Sequence, residues 1–266
     1  MAKSNLRIFI VSLSVVIVLV ILAIFSAGFS RFSSPALAQQ NQSNVPVPKP
    51  SNKPKRVNQK DEQEFEARFP TTDYDAAEPT NLEEKATRKN KNKRYDGKNI
   101  VMRNPYDSGS GTMVHSELFF VLPALPATQS NVILTADVLK SESHLSNDKT
   151  GVYSEFNVQI DVVLKGTVPT LSQTNLISVT RQGGVVRYPS GHKELYGVAG
   201  QNMPTLGKRY LFFLTAIEGT YEIVTGYEIG PKGVEALDSL PQFQAFNGTD
   251  SVIFLNKVRD AMANNN

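Results

Sequence analysis

The sequence predicts a mainly β domain, a small five- to seven-stranded barrel or compact sandwich with a C-terminal helix, preceded by an N-terminal apolar helix and a disordered linker. Three observations carry this. Residues Ile8 to Phe29 form a run of 22 residues without charge or proline. From there to about residue 100 the composition is proline-rich and then basic. Beyond about residue 115, period-two alternation of apolar and polar residues replaces that bias. The boundaries read as 1–38 for the membrane or signal segment, 39–100 for the linker and 101–266 for the globular part, with its terminal helix at 250–263.

At about 1.5 Å per residue the apolar run matches a bilayer core of roughly 30 Å. Lys3 and Arg7 precede it, which favours a cytoplasmic N-terminus and an extracytoplasmic C-terminal domain. Two readings stay open. The run is an uncleaved single-pass anchor, or residues 1–38 are a long signal removed after Pro35-Ala36-Leu37-Ala38, a small-x-small pattern followed by Gln39. The first gives a cell-membrane protein and the second a secreted or periplasmic one, with residues 39–266 on the same side in both.

The linker begins with Pro46, Pro48, Pro50 and Pro54, which favour extended chain, and contains almost nothing able to build a core. A short helix is expected over 61–69 before Pro70. There follow Lys85, Arg88, Lys89, Lys91, Lys93, Arg94 and Lys98 against the single acid Asp96, which read as a solvated tether or a contact for anionic lipid headgroups or an anionic envelope polymer. Residues 1–100 carry 16 Lys+Arg and 10 Asp+Glu (+6), residues 101–266 carry 12 and 15 (−3). The basic balance therefore lies in the arm. With the domain outside the cytoplasm and Tyr95 the only aromatic in the basic run, no nucleic-acid partner is expected.

In the globular part, Val152–Gly166 alternates most clearly. Phe156, Val158, Ile160, Val162 and Leu164 are predicted to face the core, and Glu155, Asn157, Gln159 and Asp161 the solvent. Further strands are expected at Leu118–Leu122, Asn131–Lys140, Leu176–Thr180 (stopping at Gly183-Gly184) and Tyr210–Ile217, the last apolar on both faces and hence central. Glu218-Gly219-Thr220 turns into Tyr221–Ile229, and Pro231-Lys232-Gly233 into Val234–Leu237. Asp250 is placed to cap a final helix, with Ile253 or Phe254, Val258 and Met262 at helical spacing.

The stretch FNVQIDVVLKG followed by LGKRYLFFLT is similar to the oligonucleotide/oligosaccharide-binding (OB) type barrel of netrin-like and metalloprotease-inhibitor-like domains, in which a strand ends in Lys-Gly and a later Gly leads into an apolar strand. The resemblance covers about 85 residues around Phe156–Tyr227 and implies an OB-like barrel. The cysteines typical of those families are missing, because the chain has none, so inhibition is not implied. The chain also resembles uncharacterised bacterial exported domains, which implies no activity.

The lack of cysteine excludes disulfides, thiolate metal sites and cysteine nucleophiles. His115, His144 and His192 have no metal-motif spacing, so no metal or cofactor is expected, and surface or loop positions are predicted for all three. Ser190-Gly191-His192-Lys193 matches S-x-x-K and Lys149-Thr150-Gly151 matches K-T-G. Their order is reversed, and Pro189 and Gly191 favour a turn over the helix that S-x-x-K chemistry needs. Ser190 and His192 as nucleophile and base would support an exported hydrolase. No catalytic residue is assigned. The segment Arg181–Tyr210 is predicted to be a long glycine-rich loop whose Arg181, Arg187, Tyr188, His192 and Tyr196 form a binding surface. The leading expectation is a cell-envelope protein presenting a β-rich binding module to an envelope protein or polymer. The alternatives are a hydrolase built on that loop, or an assembly scaffold acting through its membrane helix.

Overall fold

The computed structural model describes residues 68–98, 111–115, 122–169 and 175–264. All belong to one compact unit, Lys55–Asn266. The expected membrane helix, signal cleavage site and proline-rich segment lie outside the described residues. So do nearly all of the helix at 61–69 and all but Leu122 of the strand at Leu118–Leu122.

The described chain is mainly β, with two sheets and a C-terminal helix. In order, the elements are β1 (Thr71–Asp73), α1 (Leu82–Lys93), β2 (Gly111–His115), β3 (Val132–Leu145), β4 (Val152–Lys165), β5 (Leu176–Gln182), β6 (Gly184–Arg187), β7 (Lys193–Val198), β8 (Arg209–Ile217), β9 (Thr220–Gly230), β10 (Gly233–Ala236), α2 (Pro241–Gln244) and α3 (Ser251–Ala263). The larger sheet runs β10-β9-β5-β4-β3-β8, and β8 also pairs with β9, so β3, β4, β5, β9 and β8 close into a ring. Every pair in the ring is antiparallel except β5–β9, which is parallel. The smaller sheet, β1-β6-β7-β2, has an antiparallel β6–β7 hairpin flanked by two parallel strands.

Inside the ring, alternate residues of each strand meet: Leu134, Ala136, Val138, Phe156, Val158, Val179, Phe212 and Leu214 are buried in one cluster. Outside it, α3 lays Phe254 and Val258 on Ile133, Leu211, Phe213 and Tyr227. Asp250 caps α3 as expected, its side chain accepting from the amides of Val252 and Ile253. Because β8 has the ring interior on one face and α3 on the other, its two-sided apolar pattern follows from its position. The Glu218-Gly219 turn has positive φ at both residues (47° and 78°), the twist that a two-residue hairpin loop requires.

Val162 departs from the expected pattern. A register shift opposite Asp161 inverts the alternation, so Val162 is 47% exposed and Leu164 joins the cluster under α3.

Two further departures matter for the site. The predicted Arg181–Tyr210 loop contains β6 and β7. At Gly184, where φ is 150°, the chain crosses from one sheet to the other; a Cβ there would lie 2.3 Å from the Ser143 hydroxyl. The predicted 39–100 linker ends early, because residues 70–98 pack on the β-structure. Ser143 donates to the Pro70 carbonyl at 2.6 Å and pairs with Ser154 at 2.9 Å, both hydroxyls being buried.

Candidate functional site

Helix α1 begins at Asn81, whose side chain accepts from the amides of Glu83 and Glu84. Acids in its first turn and lysines in its last suit the helix dipole. None of its residues is buried, and Leu82 is 83% exposed, so no apolar stripe holds it down. Charge does. Arg88, Lys91 and Asn92 share one face. Arg88 Nη1 donates to Glu155 Oε2 at 2.8 Å and to the Tyr153 hydroxyl at 3.2 Å. Lys91 Nζ donates to Glu155 Oε1 at 2.7 Å, and the Tyr153 hydroxyl donates to Asn92 Oδ1 at 2.8 Å. Past the helix, Arg94 bonds Thr220 and lies 3.7 Å from Glu222. Tyr95 stacks on Tyr153 with centroids 4.2 Å apart and donates to Thr180 Oγ1 at 3.1 Å.

The segment's C-terminal end is tied to the β3–β4 turn. Gly97 N donates to Asp148 Oδ2 at 2.8 Å, and Asn147 N to Asp96 Oδ1 at 2.7 Å. Gly151 allows the backbones to close: a Cβ there would lie 2.2 Å from the Tyr95 carbonyl oxygen. Together these contacts make a strap across the outer face of β4 and β5, reaching β9.

Glu155 is the centre of this face. Burial alone would raise its carboxyl pKa. Hydrogen bonds from Lys91 and Ser178 and the charges of Lys91 and Arg88 outweigh that and hold it at about 2. Beside it, burial and the Arg88 charge bring His144 down to about 4, against a weaker pull from Glu155. His144 Nε2 lies 3.9 Å from Glu155 Oε2 and is buried without a hydrogen-bond partner. The predicted surface position of His144 is therefore corrected.

The residues predicted for the 181–210 surface separate into three places. Arg181 is buried, 1% exposed. Its Nη2 donates to both oxygens of Asp238 at 2.7 Å, and Asp238 also accepts from Thr225 Oγ1 at 2.8 Å and Asn202 N at 3.1 Å. Arg187 is exposed and pairs with Asp73 at 3.3 Å. Tyr188, His192 and Tyr196 do come together, but inside, under β6 and β7 with Val152 and Val186. The Tyr188 and Tyr196 hydroxyls bond each other, and Tyr196 donates to Glu194 Oε2 at 3.0 Å. Burial and these partners push the Tyr196 hydroxyl pKa up. His192 lies in the β6–β7 loop, one of the two positions expected for it, but it stacks on Tyr188 at 4.5 Å and is 9% exposed, so it is not a surface residue. Four of the five predicted binding residues thus build the domain, and only Arg187 presents itself to solvent.

Ser190 Oγ lies 2.5 Å from His192 Nδ1. Ser190 sits in the β6–β7 turn and not on a helix, so the S-x-x-K geometry is absent. Lys149 of the K-T-G match donates to the Tyr74 carbonyl at 2.9 Å. A surface hollow of about 190 Å³, lined in part by Phe69, Asn202, Met203, Tyr210 and Leu237, includes neither Ser190 nor His192. Among the described residues, no group of three or more His, Asp or Glu is placed to hold a metal ion.

No protein-family model and no curated protein matches the chain.

Proposed function

We propose that this protein is a binding module of the cell envelope. In this reading it is held outside the cytoplasm by the Ile8–Phe29 segment, or released after Ala38, and performs no catalytic step. The β-domain is an OB-type barrel in which β3, β4, β5, β8 and β9 are the first to fifth strands. In barrels of that type the face of the second and third strands, with the adjoining loops, is the usual recognition surface. The observation that carries the reading is the state of that face: β4 and β5 present Tyr153, Glu155, Ser178 and Thr180 outward, and every one of them contacts another polar side chain. The partner is an envelope protein and not an anionic polymer, because Arg88, Lys91 and Arg94 turn inward to carboxylates.

The test is site-specific photocrosslinking in native envelopes. A crosslinker at Gln159, exposed on the outer face of β4 beyond α1, is expected to form a defined protein adduct, and one at Ile253 on α3 is not. Equal labelling at both positions, or none at Gln159, would count against the module.

The Ser190–His192 contact favours a hydrolase as the second reading. What weakens it is the other ring nitrogen. His192 Nε2 is buried without a hydrogen-bond partner, whereas a catalytic imidazole is held there by an acid or a carbonyl. Hydrolytic turnover abolished by Ser190→Ala would reverse the preference.

A further inference from the structure

Helix α1 is an unusual covering element. A surface helix is ordinarily held by an apolar stripe, whereas α1 buries no residue and touches the sheet through the charges of Arg88 and Lys91 and the amide of Asn92, with Tyr95 stacked on Tyr153 just past its end. The surface beneath is built to read it. Glu155 offers one oxygen to Arg88 and the other to Lys91, and Ser178 Oγ donates to Glu155 at 2.6 Å, fixing the carboxylate. Glu222 and Thr220 meet Arg94. Tyr153 and Thr180 meet the ring and hydroxyl of Tyr95. The contacted positions spell Arg-x-x-Lys-x-x-Arg-Tyr, one helical face and its exit.

We propose that the outer face of β4–β5 is a receptor for a basic helical segment of a partner protein, and that α1 is its built-in occupant, displaced when the partner's helix binds. This rests on the binding-module reading and names the chemistry of the partner: a polar helix with Arg or Lys at three-residue spacing followed by an aromatic hydroxyl. Charge complementarity selects it, because Glu155 is embedded where an uncharged helix would leave it without a counter-ion. Exchange is feasible because helix α1 itself buries no residue and the occupant uncovers a single ring, Tyr95, on leaving. The affinity of the incoming helix is divided by the fraction of time α1 vacates the face, so the strap sets the threshold for binding.

The experiment uses the full chain in detergent and a labelled synthetic peptide of residues 81–98 as the probe. Arg88→Ala/Lys91→Ala weakens the built-in occupant and leaves the face intact. Tyr95→Ala is a second release variant that changes no charge and takes the stacked ring and its hydroxyl from the strap while leaving Tyr153 and Thr180 in place for the peptide's own tyrosine. Both are expected to bind the peptide about tenfold more tightly than the unaltered chain, as follows if the face is vacant about a tenth of the time. Binding should weaken with added salt, and it should be lost when Glu155→Gln is added to either variant. A scrambled peptide of the same charge should not bind. Equal binding of the scrambled peptide, retention of binding with Glu155→Gln, or no gain in both release variants would overturn the proposal. A complex whose mass shows two protein copies would make a second copy the natural occupant and overturn the partner assignment. Crosslinking at Gln159 is a separate readout: adducts there with no peptide binding would sink the receptor and spare the module.

Discussion

Replacing Arg181 with methionine separates a structural role from a recognition role. The side chain is 1% exposed and forms a two-pronged ion pair with Asp238, which is 2% exposed. Methionine fills much of the same volume, so the main loss is the counter-ion of a buried carboxylate. Breaking such a pair costs about 3–5 kcal/mol. Thr225 and Asn202 still donate to Asp238, which places Arg181→Met near the lower end, about 3 kcal/mol. For a domain of this size each kcal/mol moves the melting temperature by about 2–4 °C, so a fall of about 6–12 °C is expected. Urea unfolding of the compact unit Lys55–Asn266, followed by circular dichroism, measures the change, with the midpoint falling and the slope unaltered. Adding Asp238→Asn should recover part of the loss by removing the stranded charge. A variant within about 1 kcal/mol of the parent that nonetheless failed to form the Gln159 adduct would refute this reasoning and return Arg181 to the binding surface.

Acid should loosen the strap in two stages. His144 titrates near 6.5 when unfolded and at about 4 in the fold, so its contribution is complete above about pH 7 and is lost as pH falls from 6.5 to 4, by about 3 kcal/mol. Glu155, held at about 2 against an ordinary 4.5, adds a second loss between those values. Urea midpoints at about pH 7.5, 5.5 and 4.5 should fall steadily, and His144→Phe should flatten the first stage. Tyr196→Phe removes a buried hydroxyl bonded to Tyr188 and Glu194 and is expected to cost about 1–3 kcal/mol in the same assay. Asp250→Ala uncaps α3 and should cost about 1 kcal/mol, read as a lower melting temperature.

Strands with a core face were legible because alternation is a local signal. Phe156, Val158 and Ile160 were placed from period two alone, and Asp250 announced its helix. Glu155 was misread because its partners, Arg88 and Lys91, lie 67 and 64 residues away, and pairing across that distance leaves no trace in the local pattern. The same cause hid α1: a helix with no apolar stripe looks like a solvated basic tether until the carboxylate that holds it is known. Arg181 suffered likewise, since Asp238 is 57 residues distant. The β6–β7 hairpin was different. Val185-Val186, the Pro189-Ser190-Gly191 turn and Leu195 were readable as two short strands, but four residues of β6 are too few for alternation to outweigh the surrounding glycines.

Amide hydrogen exchange across residues 82–95, in the parent chain and in Gly151→Ala, reads out whether α1 is docked on the β-domain. If the basic segment is a docked part of the module, its amides exchange more slowly than those of the free peptide. Gly151→Ala then speeds their exchange while the amides of β3, β4 and β8 stay protected. Exchange at the free-peptide rate in the parent chain would contradict the account, because α1 would then be the tether that its composition suggests and the outer face of β4–β5 would have no occupant.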